Sequence, residues 1–192
     1  MNNFTIEQTP LEGLLLIRTK VYGDARGFFM EIFNMRSFEE LGLGVNFVQC
    51  NRSRSRFGTL RGLHFQKTHP QGKLVSVTLG EVFDVAVDLR RDSPMFGKWH
   101  GITLREGDGT LFYVPPGFAH GFYVTSEIAD FSYFCTDFYE PSDEGGLLWN
   151  DASIGIEWPI EDRSKVIIAD RDKTFPGLGD CFVFSQTSSG GL

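Results

Sequence analysis

The chain has 192 residues, 41% of them hydrophobic, which suits a single domain with a sizeable core. A net charge of -7 at pH 7 argues against nonspecific nucleic-acid binding or membrane-surface adhesion, both of which want a basic excess. The three cysteines, Cys50, Cys135 and Cys181, are far apart and form no CxxC pair, so they read as reduced thiols rather than a disulfide framework or zinc site.

Phe (19) and Gly (22) are both abundant, a mixture that fits a β-rich body with tight turns better than a helical bundle. The start, Met1 to Glu7, has no basic region followed by an apolar run. No apolar run reaches the roughly 18 residues needed to span a bilayer. The expectation is a soluble, cytoplasmic protein with no membrane or nucleic-acid partner.

In chain order, Leu14 to Ile17 opens the first strand, Gly23 to Gly27 makes a turn, and Phe28 to Phe33 is the next strand. Ser37-Phe38-Glu39-Glu40 carries a capping-box pattern with Ser37 as N-cap, so one or two helical turns end at Gly42. Val45 to Cys50 returns to strand. Asn51 to Arg56 is polar and basic, either a solvated loop or an anion-facing one. Thr59 to Gln66 is a strand.

Lys73 to Leu79 and Val82 to Leu89 read as two strands of a hairpin whose two-residue turn is Gly80-Glu81. In the second strand, Phe83, Val85, Val87 and Leu89 form the expected core face. Asp84 and Asp88 lie on the other face, expected to be exposed unless it lines a cavity. Strands follow at Lys98 to Leu104, Leu111 to Val114, Ala119 to Thr125 and Ile128 to Thr136, before a looser region from Tyr139. Many short strands at near-regular spacing predict an all-β jelly roll with a few short helices. It forms one domain over residues 1–185, with a polar tail at 186–192.

His64 and His120 are each isolated among apolar strand residues, and a neutral imidazole in a sheet-walled pocket is a usable general base near pH 7. Gln66 shares a strand face with His64, whereas Arg61 needs a twist or bulge to reach it. A jelly roll with histidines raises the metal-binding cupins. Gly109, Pro115, Gly117 and His120 fit the second part of their pattern, and Gly58 and His64 fit the start of the first. The ligand set then fails, because Gln66 stands where the second His of a His-x-His pair belongs and no Glu follows within the next several residues. Without a metal, His64, Lys73 and Tyr133 are of the types that fill the roles of base, enolate donor and acid in proton chemistry beside a ketone, provided they converge; each could instead be structural.

Several ordered stretches resemble the dTDP-4-dehydrorhamnose 3,5-epimerase family. They include Arg26-Gly-Phe-Phe, Leu60-Arg-Gly-Leu-His-Phe-Gln, Gln71-Gly-Lys-Leu-Val and Gly80-Glu-Val-Phe-Asp-Val-Ala-Val-Asp. Pro116-Gly-Phe-Ala-His-Gly-Phe, Leu148-Trp-Asn-Asp and Gly155-Ile-Glu-Trp-Pro continue the series. The matches run from about Val21 to Pro176 and cover most of the chain. The resemblance implies a homodimeric jelly roll acting on a dTDP-4-keto-6-deoxy sugar nucleotide without metal or organic cofactor.

By motif position, His64 is the expected base, Asp172 its orienting carboxylate, Lys73 the enolate donor and Tyr133 the acid on the opposite face. Gln49, Asn51 and Arg61 match positions around the diphosphate and sugar, and Tyr139 one near the nucleotide base. Arg26, Phe29 and Glu31 match a strand lent to the pocket by the partner subunit. His120 and Asp84 match inner-face positions and are read as a hydrogen-bonded support pair.

This sequence departs from the family pattern at Cys50, Phe134, Phe138 and Ala169, and in a shorter 67–71 loop. These departures are expected to alter the pocket wall, and with it the sugar accepted and the number of centres inverted. The alternatives are an epimerase acting only at C3 or only at C5, a non-catalytic sugar-nucleotide binding protein, and, last, a metal-dependent cupin.

Overall fold

The computed structural model describes residues 2–185, so the expected 186–192 tail lies outside the described residues. The chain forms β1 (Phe4–Gln8), β2 (Leu15–Thr19), β3 (Val21–Asp24) and β4 (Gly27–Met30), then helix α1 (Met35–Glu40). There follow β5 (Gln49–Arg56), β6 (Thr59–Gln66), β7 (Lys73–Leu79), β8 (Glu81–Asp88) and β9 (Trp99–Arg105). The remaining strands are β10 (Thr110–Val114), β11 (Phe118–Val124), β12 (Ile128–Cys135), β13 (Glu144–Gly146) and β14 (Ile167–Ile168). Among the described residues no helix is long and apolar enough to cross a membrane.

Two sheets face each other as a jelly-roll sandwich, the architecture expected from the strand spacing. One has the order β1-β2-β10-β7-β12-β5, the other β13-β6-β11-β8-β9, and β3 and β4 pair as a separate hairpin. Alternation along the strands sends Val75, Val77, Phe112, Val114 and Phe131 from the first sheet against Val82, Ala86, Leu104, Phe118 and Phe122 from the second. Each sheet is also covered on its outer face. Phe38 of α1 packs with Phe4, Ile17, Leu74 and Leu111 outside the first. Leu147, Ile154 and Cys181 of the C-terminal region pack on Leu63, Val85, Val87 and Leu89 outside the second.

That double cover corrects the expected core face of β8. Val85, Val87 and Leu89 point to the outer cluster, while Val82 and Ala86 point between the sheets, and Asp84 and Asp88 are both fully buried. The expected hairpin is also absent. β7 pairs with β10 and β12, whereas β8 pairs with β11 and β9, so the chain crosses between sheets at Gly80. Gly80 has φ +76°, and a Cβ there would sit 2.1 Å from the Ile128 carbonyl oxygen, so only glycine fits this corner.

Three smaller expectations change as well. Residues 51–56 are strand, not loop, because all of them pair with β12 from Ile128 to Tyr133. Asn34 rather than Ser37 caps α1, its side-chain oxygen accepting from the Ser37 N–H. The strand expected from Phe28 to Phe33 stops at Met30.

Candidate active site

The site lies between the sheets at one end of the sandwich, a cleft of about 260 Å³. β5, β7 and β12 of the first sheet send Gln49, Asn51, Lys73 and Tyr133 into it. β6 and β11 of the second send Arg61, His64 and His120.

A bulge in β6 sets the key geometry. His120 of β11 pairs with His64, but Phe122 pairs with Arg61, so Gly62 and Leu63 together oppose Gly121 alone. The extra residue returns Arg61 to the face that carries His64, which a regular strand would not do. It also requires glycine. Gly62 has φ +117°, and a Cβ on it would lie 2.7 Å from Gly121 Cα and 2.8 Å from the His120 carbonyl oxygen.

Asp172 sits on a short 3-10 turn, Asp172–Thr174, with 2% of its surface exposed. Its Oδ2 accepts from the Gly62 N–H at 3.1 Å, and its Oδ1 lies 3.0 Å from His64 Nε2. Burial pushes this carboxyl up, but the bonds from His64 and Gly62 and the nearby Arg171 charge outweigh that, holding it below the usual carboxylate range. The Phe175 ring stands edge-on to His64, its centroid 5.6 Å from that of the imidazole. Nε2 is thus engaged, and Nδ1 is the nitrogen left for chemistry.

Facing His64 from the first sheet, Tyr133 and Lys73 sit on neighbouring strands, with Lys73 Nζ 6.0 Å from the Tyr133 ring centroid. Burial pulls the Lys73 ammonium below its ordinary value and raises the Tyr133 hydroxyl above its own. Behind them, His120 Nε2 lies 2.8 Å from Asp84 Oδ1, and both side chains are buried. Burial raises the Asp84 carboxyl even against His120 and Lys73, and among the described residues its Oδ2 is buried without a hydrogen-bond partner.

Gln49, Asn51, Arg61 and Tyr139 all line the cleft. Gln49 ties two of them together, donating to Asn51 Oδ1 at 3.0 Å and accepting from the Tyr139 N–H at 3.0 Å. Arg61 Nε donates to Ser55 Oγ at 3.0 Å. Arg26, Phe29 and Glu31 are not brought to this cleft. Phe29 is 68% exposed, and the Arg26 side chain projects from the β3–β4 hairpin against Asp24. Glu31 accepts from Asn34 and Asn3.

Two expected changes of the pocket wall lie off it. Phe134 turns outward onto Phe33 and Phe47, and Cys50 is exposed on the far face of β5. Conversely, Glu144 and Arg171 line the cleft mouth without having been singled out from sequence. They form an ion pair at 2.7 Å, and Glu144 also accepts from the Tyr139 hydroxyl at 3.1 Å. Arg171 adjoins Asp172 and was open to discovery on that ground. Glu144 lies in a Gly- and Pro-rich stretch with no alternation to mark it.

A jelly roll whose cleft opposes a carboxylate-held imidazole to a tyrosine and a half-buried lysine has the equipment of a proton-transfer enzyme. The profile of the dTDP-4-dehydrorhamnose 3,5-epimerase family matches residues 8–180. The enzyme of that name from Methanothermobacter thermautotrophicus is 47% identical over 178 residues, 93% of this chain and 96% of that protein. The one from Salmonella typhimurium is 52% identical over 155 residues, 80% of this chain and 85% of that protein. A crystal structure of dTDP-6-deoxy-D-glucose-3,5-epimerase from Legionella pneumophila, in complex with dTDP-4-keto-L-rhamnose, superposes with a TM-score of 0.88 at 47% identity. That alignment covers 92% of this chain and 93% of the other. The chain belongs to the dTDP-4-dehydrorhamnose 3,5-epimerase family and is an isomerase.

Proposed function

We propose that this chain inverts C3 and C5 of dTDP-4-dehydro-6-deoxy-glucose to give dTDP-4-dehydrorhamnose, by proton transfer through an enolate. The C4 ketone acidifies the carbons on both sides of it, so the acidity comes from the substrate itself. His64 Nδ1 takes the proton, and the C–H electron pair moves into a C=C bond while the carbonyl π pair moves onto the C4 oxygen. Lys73 donates to that oxygen, more readily because burial has lowered its affinity for its proton. Asp172 holds the resulting imidazolium. Tyr133 returns a proton to the opposite face of the carbon, and its raised hydroxyl keeps that proton until the carbanion needs it.

The observation that carries this reading is that His64 and Tyr133 reach one cleft from opposite sheets. Inversion requires two faces, since one residue serving as both base and acid restores the starting centre. At about 260 Å³ the cleft is near the lower end of ligand pockets, roughly 300 Å³ and up, a size for the hexose with the nucleotide at the mouth. There Arg61, Gln49 and Asn51 would meet the diphosphate and sugar, and Tyr139 would stack on the base. His120, supported by Asp84, would line the sugar.

We further read the protein as a homodimer in which each subunit lends the hairpin bearing Arg26 and Phe29, with Glu31 just after it, to its partner's cleft. The exposure of Phe29 and the Arg26 side chain, outside their own cleft, supports this. A cytoplasmic setting suits three unpaired cysteines, one of them exposed.

Tyr133→Phe tests the two-faced mechanism. Deuterium should still enter from solvent with retention at the carbon, while inversion falls by about 10²-fold or more. Undiminished inversion would remove Tyr133 from the mechanism.

A further inference from the structure

Gln66 occupies the position at which the cupin pattern expects a metal-binding histidine, and the proton chemistry above leaves it without a role. It is 3% exposed. Its Nε2 donates to two carbonyl oxygens, those of His69 at 2.9 Å and Phe138 at 3.1 Å. Its Oε1 accepts from the Glu140 N–H at 2.6 Å. Phe138 and Glu140 are the residues immediately before and after Tyr139, so one amide grips the backbone on both sides of that ring.

The 67–71 loop is tied a second time, to the 3-10 turn Pro141–Asp143 that follows the 138–140 segment. The Asp143 carboxylate accepts from the Thr68 N–H at 3.0 Å, the Thr68 hydroxyl at 2.6 Å and the His69 N–H at 2.9 Å. Two donors and an acceptor on one planar group are what an amide offers; a carboxylate has no donor and a thioether neither. With both N–H groups and the oxygen engaged, Gln66 has no donor left for a substrate.

We infer that Gln66 is a positioning residue: its amide joins the 67–71 loop to the 138–140 segment and so fixes Tyr139, beside Glu144, at the nucleotide end of the cleft. The inference rests on the sugar-nucleotide reading above. Its role is in substrate grip and not in proton transfer, because the residues it holds lie at the mouth, whereas His64, Lys73 and Tyr133 stand on their own strands.

The test uses two variants, Gln66→Glu, which keeps the shape and removes both donors, and Gln66→Met, which keeps the length and removes every partner. For each, KM and kcat are measured with dTDP-4-keto-6-deoxy-glucose, and Kd with dTDP. Leaving those backbone groups unpaired and the loop loose should raise KM and Kd by about tenfold while kcat stays within about threefold. In a Tyr139→Ala background, Gln66→Met should change Kd by less than about twofold, because the two act through one contact.

Full additivity with Tyr139→Ala, or a fall in kcat at unchanged KM, would overturn the inference. Failure of both variants to fold would assign Gln66 to the fold rather than the mouth and overturn it equally. Wild-type protein that neither binds dTDP nor turns over the sugar would instead sink the reading of the site before any variant is made.

Discussion

Replacing Asp172 with Asn keeps the shape of the side chain and removes its charge. In the wild type one carboxylate serves two donors, His64 Nε2 at 3.0 Å and the Gly62 N–H at 3.1 Å. An amide offers one oxygen, so one of the two donors must face an NH2 group. With Asp172 2% exposed, solvent does not step in to replace the lost bond. A charge-assisted bond of this kind contributes about 1.5–3 kcal/mol, and its benefit grows as the imidazole becomes an imidazolium in the transition state. At about 1.36 kcal/mol per decade of rate, kcat should fall by about ten- to a hundredfold. dTDP affinity should move less than kcat, since Asp172 reaches the mouth of the cleft only through Arg171, whose Nε lies 3.3 Å from its Oδ1. The assay is the rate of deuterium entry from solvent, followed by NMR at saturating substrate, with circular dichroism to verify folding. A folded Asp172→Asn variant that exchanges within twofold of wild type would refute the assignment of Asp172 as the group that holds the base.

Other outcomes follow from the same geometry. Lys73→Met should abolish useful turnover, by at least about 10²-fold, while raising the melting temperature, since a desolvated ammonium is removed. Each kcal/mol relieved is worth about 2–4 °C in a chain of this size. Because the folded state lowers the Lys73 pKa, the penalty is full below that lowered value and fades as pH rises from it toward the ordinary 10.5, so the variant's advantage should shrink over the same interval. A melting temperature that is lower at pH 7 would contradict this. Gly62→Ala should cost about 3 kcal/mol or more, a fall of about 6–12 °C, because its Cβ would meet the backbone of β11. A thermal scan within 2–3 °C of wild type would mean that the bulge relaxes without cost.

Much of the fold was legible because strands here are short, rich in β-branched and aromatic residues, and punctuated by Gly and Pro. What periodicity could not report was how they are partnered. The Gly80 corner is a single residue, and a local reading takes any short Gly link between two strands as a hairpin. The two-sided cover of β8 hid its inner face, since Val85 and Val82 are equally buried on opposite sides. The 51–56 stretch looked like a loop because Arg52, Arg54 and Arg56 alternate with Asn51, Ser53 and Ser55, an apolar-free pattern. It is a strand because Asn51 and Ser53 face a polar cleft and the Arg52 and Arg54 guanidiniums bind the buried Asp130 carboxylate.

The site shows the same division. His64, Lys73, His120 and Tyr133 stand on strands whose motifs resemble a family's, and they meet in one cleft. Asp172 lies 108 residues from His64, and only the resemblance linked the two before the fold brought them together. Arg61 needed the β6 bulge, which depends on a contact between Gly62 and Gly121 that no local pattern encodes. Arg26 and Phe29 belong to a hairpin, with Glu31 just after it, that a single chain leaves away from its own cleft.

The most direct test of the central claim is proton NMR of dTDP-4-dehydro-6-deoxy-glucose incubated with the wild-type protein in deuterium oxide. Deuterium should enter at both C3 and C5 as the signals of dTDP-4-dehydrorhamnose appear. Entry at one carbon alone would contradict double inversion, and dTDP binding with no exchange at either carbon would contradict the proton chemistry assigned to His64 and Tyr133.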